Sequence, residues 1–202
     1  MEFAELLSAK LCHDLAGPIG AINNGMEFLN SDDKDVKEKA LNLVLFSSNQ
    51  ALHRLSFIRS AYGYMNDSSE MSVSAMKALV LNFFENSKVA IDFKIDKKIE
   101  QLDRNTLKLI LNAVLIVSAS IMYNGSMFIE VHGDDNLSIK IEGVGSVMKI
   151  EQEIQDILSN VGGIVMTTRN VQCFYIKDLA KAANYKMTLQ QIGEKIGFYL
   201  SR

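Results

Sequence analysis

Residues 9–21 read AKLCHDLAGPIGA, and how this stretch is read decides the fold. Around it Phe3, Leu7, Leu11, Leu15, Pro18, Ile22, Met26 and Leu29 fall three or four residues apart, the spacing of one apolar helix face. The spacing predicts a helix over 2–29, although Gly17, Pro18 and Gly20 lie inside it. A glycine in a helix interior costs ~1 kcal/mol relative to alanine and a proline ~3 kcal/mol, so these residues need another reason to be there. The cluster Asn30-Ser31-Asp32-Asp33 ends this helix and supplies a cap for the next. A second helix over 34–65 follows, with Val36, Ala40, Leu43, Ala51, Leu55, Ile58 and Tyr62 as apolar positions. Two long helices joined by a short polar turn make a hairpin. One hairpin cannot bury its own apolar stripe, so the economical arrangement is a four-helix bundle formed by a homodimer.

His13 lies roughly 160° around the wheel from the centre of the stripe and faces away from the hairpin core. Its neighbours on that face are Ala9, Lys10, Ala16, Gly17 and Gly20, all small except Lys10. Small side chains leave the imidazole uncovered and let another backbone approach closely. The glycines therefore read as clearance for a docking partner, and Pro18 is expected to bend the helix one turn past the histidine. An imidazole with an ordinary pKa of about 6.5 is a competent nucleophile near neutral pH. Asp14 and Lys10 are placed to orient a ring nitrogen or to offset the charge of a phosphate.

The whole chain of 202 residues is 48% hydrophobic and 22% charged, with a net charge of −3. That balance gives no basic patch for nucleic acid or for an anionic membrane. The longest apolar run, residues 107–122, is broken by Lys108, Asn112, Ser118 and Ser120 and reads as a buried helix, not a membrane span. Glu2 and Glu5 stand where a signal peptide needs positive charge, and the two cysteines, Cys12 and Cys173, read as reduced thiols. The expected setting is the cytoplasm.

Beyond the hairpin the pattern predicts helices over 71–87, 104–123, 150–160 and 170–184, and strands over 89–95, 127–132, 137–142, 186–192 and 195–200. The turn Asn124-Gly125 closes one helix, and Gly133-Asp134-Asp135-Asn136 joins two strands as a hairpin. The expected class is α+β. A dimerisation and transfer hairpin occupies 1–67, and a two-layer α/β sandwich of helices and antiparallel strand pairs occupies 68–202.

His13-Asp14-Leu15-Ala16-Gly17-Pro18-Ile19 matches the H-box of dimeric histidine kinases, H-[DE]-L-x-x-P-[LI], at every defined position, with Leu15, Pro18 and Ile19 as its structural members. The second domain resembles the ATPase domain of those kinases in a worn form. Where their N-box has N-L-L-x-N-A-x-K, this chain has Asn112-Ala113-Val114-Leu115-Ile116-Val117-Ser118-Ala119, so Ile116 replaces the Mg²⁺-holding asparagine and Ala119 the lysine. Where they have D-x-G-x-G, it has Ile141-Glu142-Gly143-Val144-Gly145. Before the last long helix, Thr167-Thr168-Arg169-Asn170-Val171-Gln172 lacks the glycines that cradle phosphate.

The combination resembles the ChpT-type histidine phosphotransferases of alphaproteobacteria. The resemblance implies a homodimer that passes a phosphoryl group through His13, between the receiver domain of a hybrid histidine kinase and response regulators such as CtrA. It implies no nucleotide, cofactor or metal of its own, with Mg²⁺ carried by the receiver. The implied receiver-facing surface is Lys10, Asp14, Ala16, Gly17, Gly20, Asn23 and Asn24, with facing residues of the second helix. Two other readings remain at this point: a diverged ATP-dependent histidine kinase and a dimeric scaffold without chemistry. Other residues are read as structural. Cys12 and His13 point ~100° apart and make no metal pair; His53 and His132 are satisfied or surface histidines. Asp32, Asp33 and Asp35 form a capped turn rather than a Ca²⁺ loop, and the ten methionines are core filler.

Overall fold

The structure, a computed structural model, describes residues 2–65, 69–133 and 136–202. Helices α1 (Glu2–Phe28) and α2 (Lys34–Tyr62) form the hairpin. Its turn is built by side chains: the Ser31 hydroxyl accepts the Asp33 N–H at 3.2 Å, and the Asp33 carboxylate accepts the Asp35 and Val36 N–H groups at 2.8 and 3.4 Å. This is the N-cap that the Asn-Ser-Asp-Asp cluster foretold.

The two helices meet closest at Gly25, where a Cβ would lie 2.6 Å from Val44 Cγ2 and 3.2 Å from the Ala40 carbonyl. The sequence pattern placed Met26 in the hairpin core, but Met26 is 52% exposed and Gly25 is buried in its place. Only a residue without a side chain lets the backbones approach this closely, and that approach turns Met26 outward. Helix α1 continues through Pro18. A proline has no N–H, so the carbonyl of Asp14 loses its normal partner four residues on; Arg54 of α2 supplies one, its Nη1 donating to that carbonyl at 3.0 Å. The unusual proline thus ties α1 to α2.

Helix α2 ends at Tyr62, earlier than the expected 65. Gly63 caps it, its N–H donating to the Arg59 carbonyl at 2.9 Å, and a Cβ there would collide with that same carbonyl. The junction expected at 67/68 falls among residues 66–68, outside the described residues.

The second unit comprises β1 (Glu70–Ser72), α3 (Val73–Phe83), β2 (Val89–Ile95), β3 (Gln101–Asp103), α4 (Arg104–Ala119), β4 (Gly125–His132), β5 (Ser138–Gly145), α5 (Gln152–Leu158), α6 (Val171–Ala182), β6 (Lys186–Ile192) and β7 (Lys195–Ser201). Five strands form one sheet in the order β2-β4-β5-β7-β6. Ile110, Val114 and Val117 of α4 and Ile176 of α6 are buried together with Ile129, Ile141 and Phe198 of the sheet. The two expected antiparallel pairs form, β4 with β5 and β6 with β7. Strand β2, for which the sequence named no partner, runs parallel to β4, Val89 opposite Gly125 and Ile95 opposite Val131, because α4 carries the chain back over the sheet. Two expected helix bounds are corrected. The helix expected over 71–87 begins at Val73, since residues 70–72 pair with β3 and the Ser72 hydroxyl caps α3 by accepting the Ala75 N–H at 3.2 Å. Helix α4 stops at Ala119 instead of 123, because the Ser120 carbonyl accepts the Lys149 N–H and the Met122 N–H donates to the Val147 carbonyl. At both helix ends a pairing distant in sequence overrides local helix propensity.

The β4–β5 connection expected over 133–136 includes Asp134 and Asp135, which lie outside the described residues. Beside it, His132 contacts Asp96 Oδ1 through Nδ1 at 2.9 Å and Glu130 Oε2 through Nε2 at 3.3 Å. Those bonds, to Asp96 first and then Glu130, hold the imidazole pKa above its ordinary 6.5. They also hold the Asp96 carboxyl below its ordinary value. A raised histidine stabilises the fold fully below its unfolded pKa and loses that contribution as pH rises through the folded value. A lowered carboxylate does the reverse, losing its contribution as pH falls through the folded value. The melting temperature is therefore expected to decline slightly as pH rises through and above 6.5, with His132→Gln flattening that slope; an unchanged slope in thermal melts of the variant would rule the pair out as its source.

Candidate active site at His13

The side chain of His13 is 90% exposed, near the middle of α1. Asp14 Oδ1 lies 3.5 Å from His13 Nδ1, and Asp14 Oδ2 lies 3.3 Å from Lys10 Nζ. One carboxylate thus stands between the lysine and the ring, on the Nδ1 side, and Nε2 has no partner among the described residues. Lys10 belongs less to the exposed face than the wheel suggested: its side chain is 22% exposed. It lies between the hairpin and the α/β unit and lines a 230 Å³ cavity with Asp14, Arg54, Tyr62, Leu115 and Gln172. Ala16, Gly17, Gly20, Asn23 and Asn24 are exposed. A Cβ at Gly17 or at Gly20 would meet nothing within 4 Å, so this chain's own packing requires neither glycine. Leu15 is half-buried, Pro18 buried and Ile19 55% exposed.

The α/β unit reaches the same place. Thr168 and Arg169, in the loop between α5 and α6, line a cleft of about 390 Å³ together with Ala9, Lys10, His13 and Asp14. The loop is shaped by Asn170, which is 1% exposed. Its Oδ1 accepts the Thr167 N–H at 2.7 Å and its Nδ2 donates to the Val165 carbonyl at 3.0 Å. In the sequence this segment showed only what it lacked, the glycines of a phosphate lid. Nothing local marks Arg169 as a neighbour of His13, since that depends on how α1 lies across the second unit.

The α4 face corresponding to the kinase N-box is filled by the tail of α2. Asn112 Nδ2 and the Tyr175 hydroxyl both donate to the Ala61 carbonyl at 3.3 Å. Lys108 Nζ donates to the Gly63 carbonyl at 2.6 Å and Arg104 Nη1 to the Met65 carbonyl at 2.8 Å. Gln172 Nε2 donates to the Asn112 carbonyl at 3.1 Å, and Ile116 is 3% exposed. Burial, with Arg104 nearby, pulls the Lys108 ammonium below its usual pKa. Gly143 and Gly145 lie in the last three residues of β5. Cβ atoms there would lie 2.8 Å from Val117 Cγ1 and 2.9 Å from the Asn124 carbonyl respectively. Both glycines serve packing of α4 and of the neighbouring segment on the sheet. Of the two free thiols, Cys12 is exposed and Cys173 is buried, which pushes its pKa up to about 12. Among the described residues no three acidic, histidine or cysteine side chains group as metal ligands, and no helix is long and apolar enough to cross a membrane.

A helical hairpin carrying an open histidine, joined to an α/β sandwich, is the architecture of histidine kinase cores. The Acinetobacter baumannii histidine kinase AdeS superposes with a TM-score of 0.51 at 16% identity, over 94% of this chain and 96% of that one; at this identity the likeness shows the fold alone. Residues 73–195 match the family model of the histidine phosphotransferase C-terminal domain. The chain belongs to the histidine phosphotransferase family, the transfer components of two-component phosphorelays. It is 27% identical over 201 residues to the protein phosphotransferase ChpT of Brucella abortus (strain 2308), covering 98% of this chain and 94% of that protein. The solved structure of a bacterial phosphotransferase superposes with a TM-score of 0.88 at 28% identity, over 98% of this chain and 95% of that one.

Proposed function

We propose that His13 is the phosphoryl-carrying residue and that the protein relays phosphate between receiver domains without using ATP. The observation that carries this reading is the contrast between two surfaces. His13 stands 90% exposed on a face that Gly17 and Gly20 keep clear, whereas the α4 face where a kinase holds nucleotide and Mg²⁺ is occupied by the carbonyls of Ala61, Gly63 and Met65. The lone pair on His13 Nε2 attacks the phosphorus of an aspartyl phosphate on a docked receiver. The N–P bond forms as the P–O bond to the aspartate breaks, and the aspartate leaves as a carboxylate with the electron pair. No proton has to move: Nδ1 keeps its hydrogen, and the positive charge that develops on the ring lies beside the Asp14 carboxylate. The receiver brings its own Mg²⁺ to the transferring group. Transfer to a second receiver reverses the same step, so specificity resides in the docking surface.

The donor is the receiver domain of a hybrid histidine kinase and the acceptor a response regulator such as CtrA. The working unit is a homodimer: Leu41, Leu45, Leu52 and Leu55 of α2 are 48–60% exposed and repeat at helical spacing, with Ile19 and Met26 of α1 also outward. Such a double stripe is what a four-helix bundle buries. Two unpaired thiols suit the reducing cytoplasm.

The first test uses two labelling arms, the protein with radiolabelled ATP alone and with a labelled phosphoreceiver. Label taken up in the receiver arm only supports the relay; label from ATP alone would make the protein a kinase. Docking gives a second test. Gly20→Ala is expected to raise the melting temperature, since removing a helix-interior glycine gains roughly 0.5–1 kcal/mol. Gly20→Trp, in the same open space, is expected to leave the fold intact and slow transfer by about tenfold or more. Transfer at wild-type rates in the tryptophan variant would take Gly20 out of the docking surface.

A further inference from the structure

The cleft around His13 contains two cations from different units: Lys10 of α1 and Arg169 of the α5–α6 loop, with Thr168 beside it. Lys10 reaches the site along Asp14, to which it is paired at 3.3 Å. Arg169 has no such partner on its own loop among the hydrogen bonds that shape it. That loop is fixed from beneath, by the buried amide of Asn170 holding the backbone at Val165 and Thr167. The cleft also has room, at about 390 Å³, for a group added to the ring.

We propose that Lys10, Thr168 and Arg169 form a cradle for the phosphoryl group once it is on His13, so that the worn ATPase-like domain contributes directly to the phosphohistidine. This rests on the reading of His13 given above and extends it to residues of the second domain. His13 itself lines the cleft, so a phosphoryl dianion on its ring is held beside the cleft's other lining residues. A guanidinium offers it paired N–H donors, and the Thr168 hydroxyl offers a further one. The charges are shared out within the cleft: Asp14 lies beside the ring on the Nδ1 side with Lys10 paired to it, and Arg169, which lines the same cleft, supplies the cation for the dianion. Asn170 is a positioning residue that holds Arg169 in place. The loop has thus exchanged the backbone N–H groups of a nucleotide lid for a side-chain cation at the histidine.

Two consequences can be measured. Cations beside a phosphoryl group favour its dianion, so they lower its second pKa. They also tilt the equilibrium between phosphohistidine and receiver aspartyl phosphate toward histidine. The full-length protein is phosphorylated with phosphoramidate, with no receiver present, and the phosphohistidine is titrated by ³¹P NMR. Arg169→Gln is expected to raise the phosphoryl pKa relative to wild type and, in a separate assay with a receiver, to shift the phosphate equilibrium about two- to fivefold toward the receiver. Arg169→Lys is expected to restore part of both effects, and Asn170→Ala to reproduce part of the loss. A labelled Arg169→Gln protein whose phosphoryl group titrates like wild type overturns the cradle while leaving the relay intact. Failure of the wild-type protein to carry phosphate on His13 overturns the relay itself, and with it the cradle.

Discussion

Replacing His13 with glutamine is expected to abolish uptake of phosphate from a phosphoreceiver, with no measurable change in melting temperature. The loss should be complete because the amide nitrogen of glutamine carries no available lone pair, and because the other two imidazoles are engaged elsewhere: His53 is paired with Glu85 at 3.2 Å and His132 is held by Asp96 and Glu130. The fold is expected to be indifferent because a side chain 90% exposed buries almost nothing. Asp14→Asn is expected to act differently. It keeps the nucleophile and removes the charge beside the ring cation, so labelling persists but slows by about ten- to a hundredfold, as expected for loss of a charge-assisted contact of roughly 1.5–3 kcal/mol. Radiolabel time courses with the two variants separate the roles. Retained labelling in His13→Gln would remove His13 from the chemistry, and an unchanged rate in Asp14→Asn would remove the carboxylate.

The second large effect is expected in the assembly. Substituting Leu45 and Leu52 with glutamate in the same chain should convert the proposed dimer to a monomer. Both are more than half exposed in the single chain, at 55% and 60%. Burying a leucine is worth roughly 1.5–3 kcal/mol, and a symmetric interface loses four of them at once. That corresponds to a dissociation constant raised by at least about four orders of magnitude, before any repulsion between the new carboxylates. Light scattering coupled to size exclusion would show it directly. A wild-type protein that is monomeric at high concentration, or a double variant that stays dimeric, would contradict the assignment of this face. The contact inside each hairpin is of another kind, with Gly25 against Ala40 and Val44, and it should survive in the monomer.

Not every part of this molecule was equally visible beforehand. The helix period of 2–29 and 34–65 and the capping residues at 30–33 are local, and the hairpin followed from them to within a few residues. The direction of His13 also followed from wheel geometry alone, since a straight helix leaves no freedom in which residues share a face. The last strand pair, β6 and β7, was legible for a similar reason: the turn at Gly193, with φ of 59°, needs a residue free to adopt the left-handed region. The exchange of Met26 for Gly25 in the hairpin core was not legible, because apolar periodicity does not record where two backbones come within reach of each other. The stripe that looked like one core is in fact divided between the contact with α2 and an outward face.

By itself, then, the sequence determined the hairpin and the outward direction of His13 among small neighbours, while the resemblance to kinases marked the positions at which the second domain departs from their motifs. These are properties of spacing and of residue chemistry within short windows. Only the tertiary structure decided that β2 lies parallel to β4, that residues 70–72 and 101–103 pair, and that the carbonyls of Ala61, Gly63 and Met65, at and just past the end of α2, settle onto Asn112, Lys108 and Arg104. It also brought Arg169 to the histidine. Each of these joins segments that no helical or strand period relates: Lys108 lies 45 positions from Gly63, and Arg169 far further from His13. Their meeting is set by how the hairpin packs against the sheet-bearing domain. That packing depends on buried surface summed over the whole chain, and a short window of sequence does not contain it.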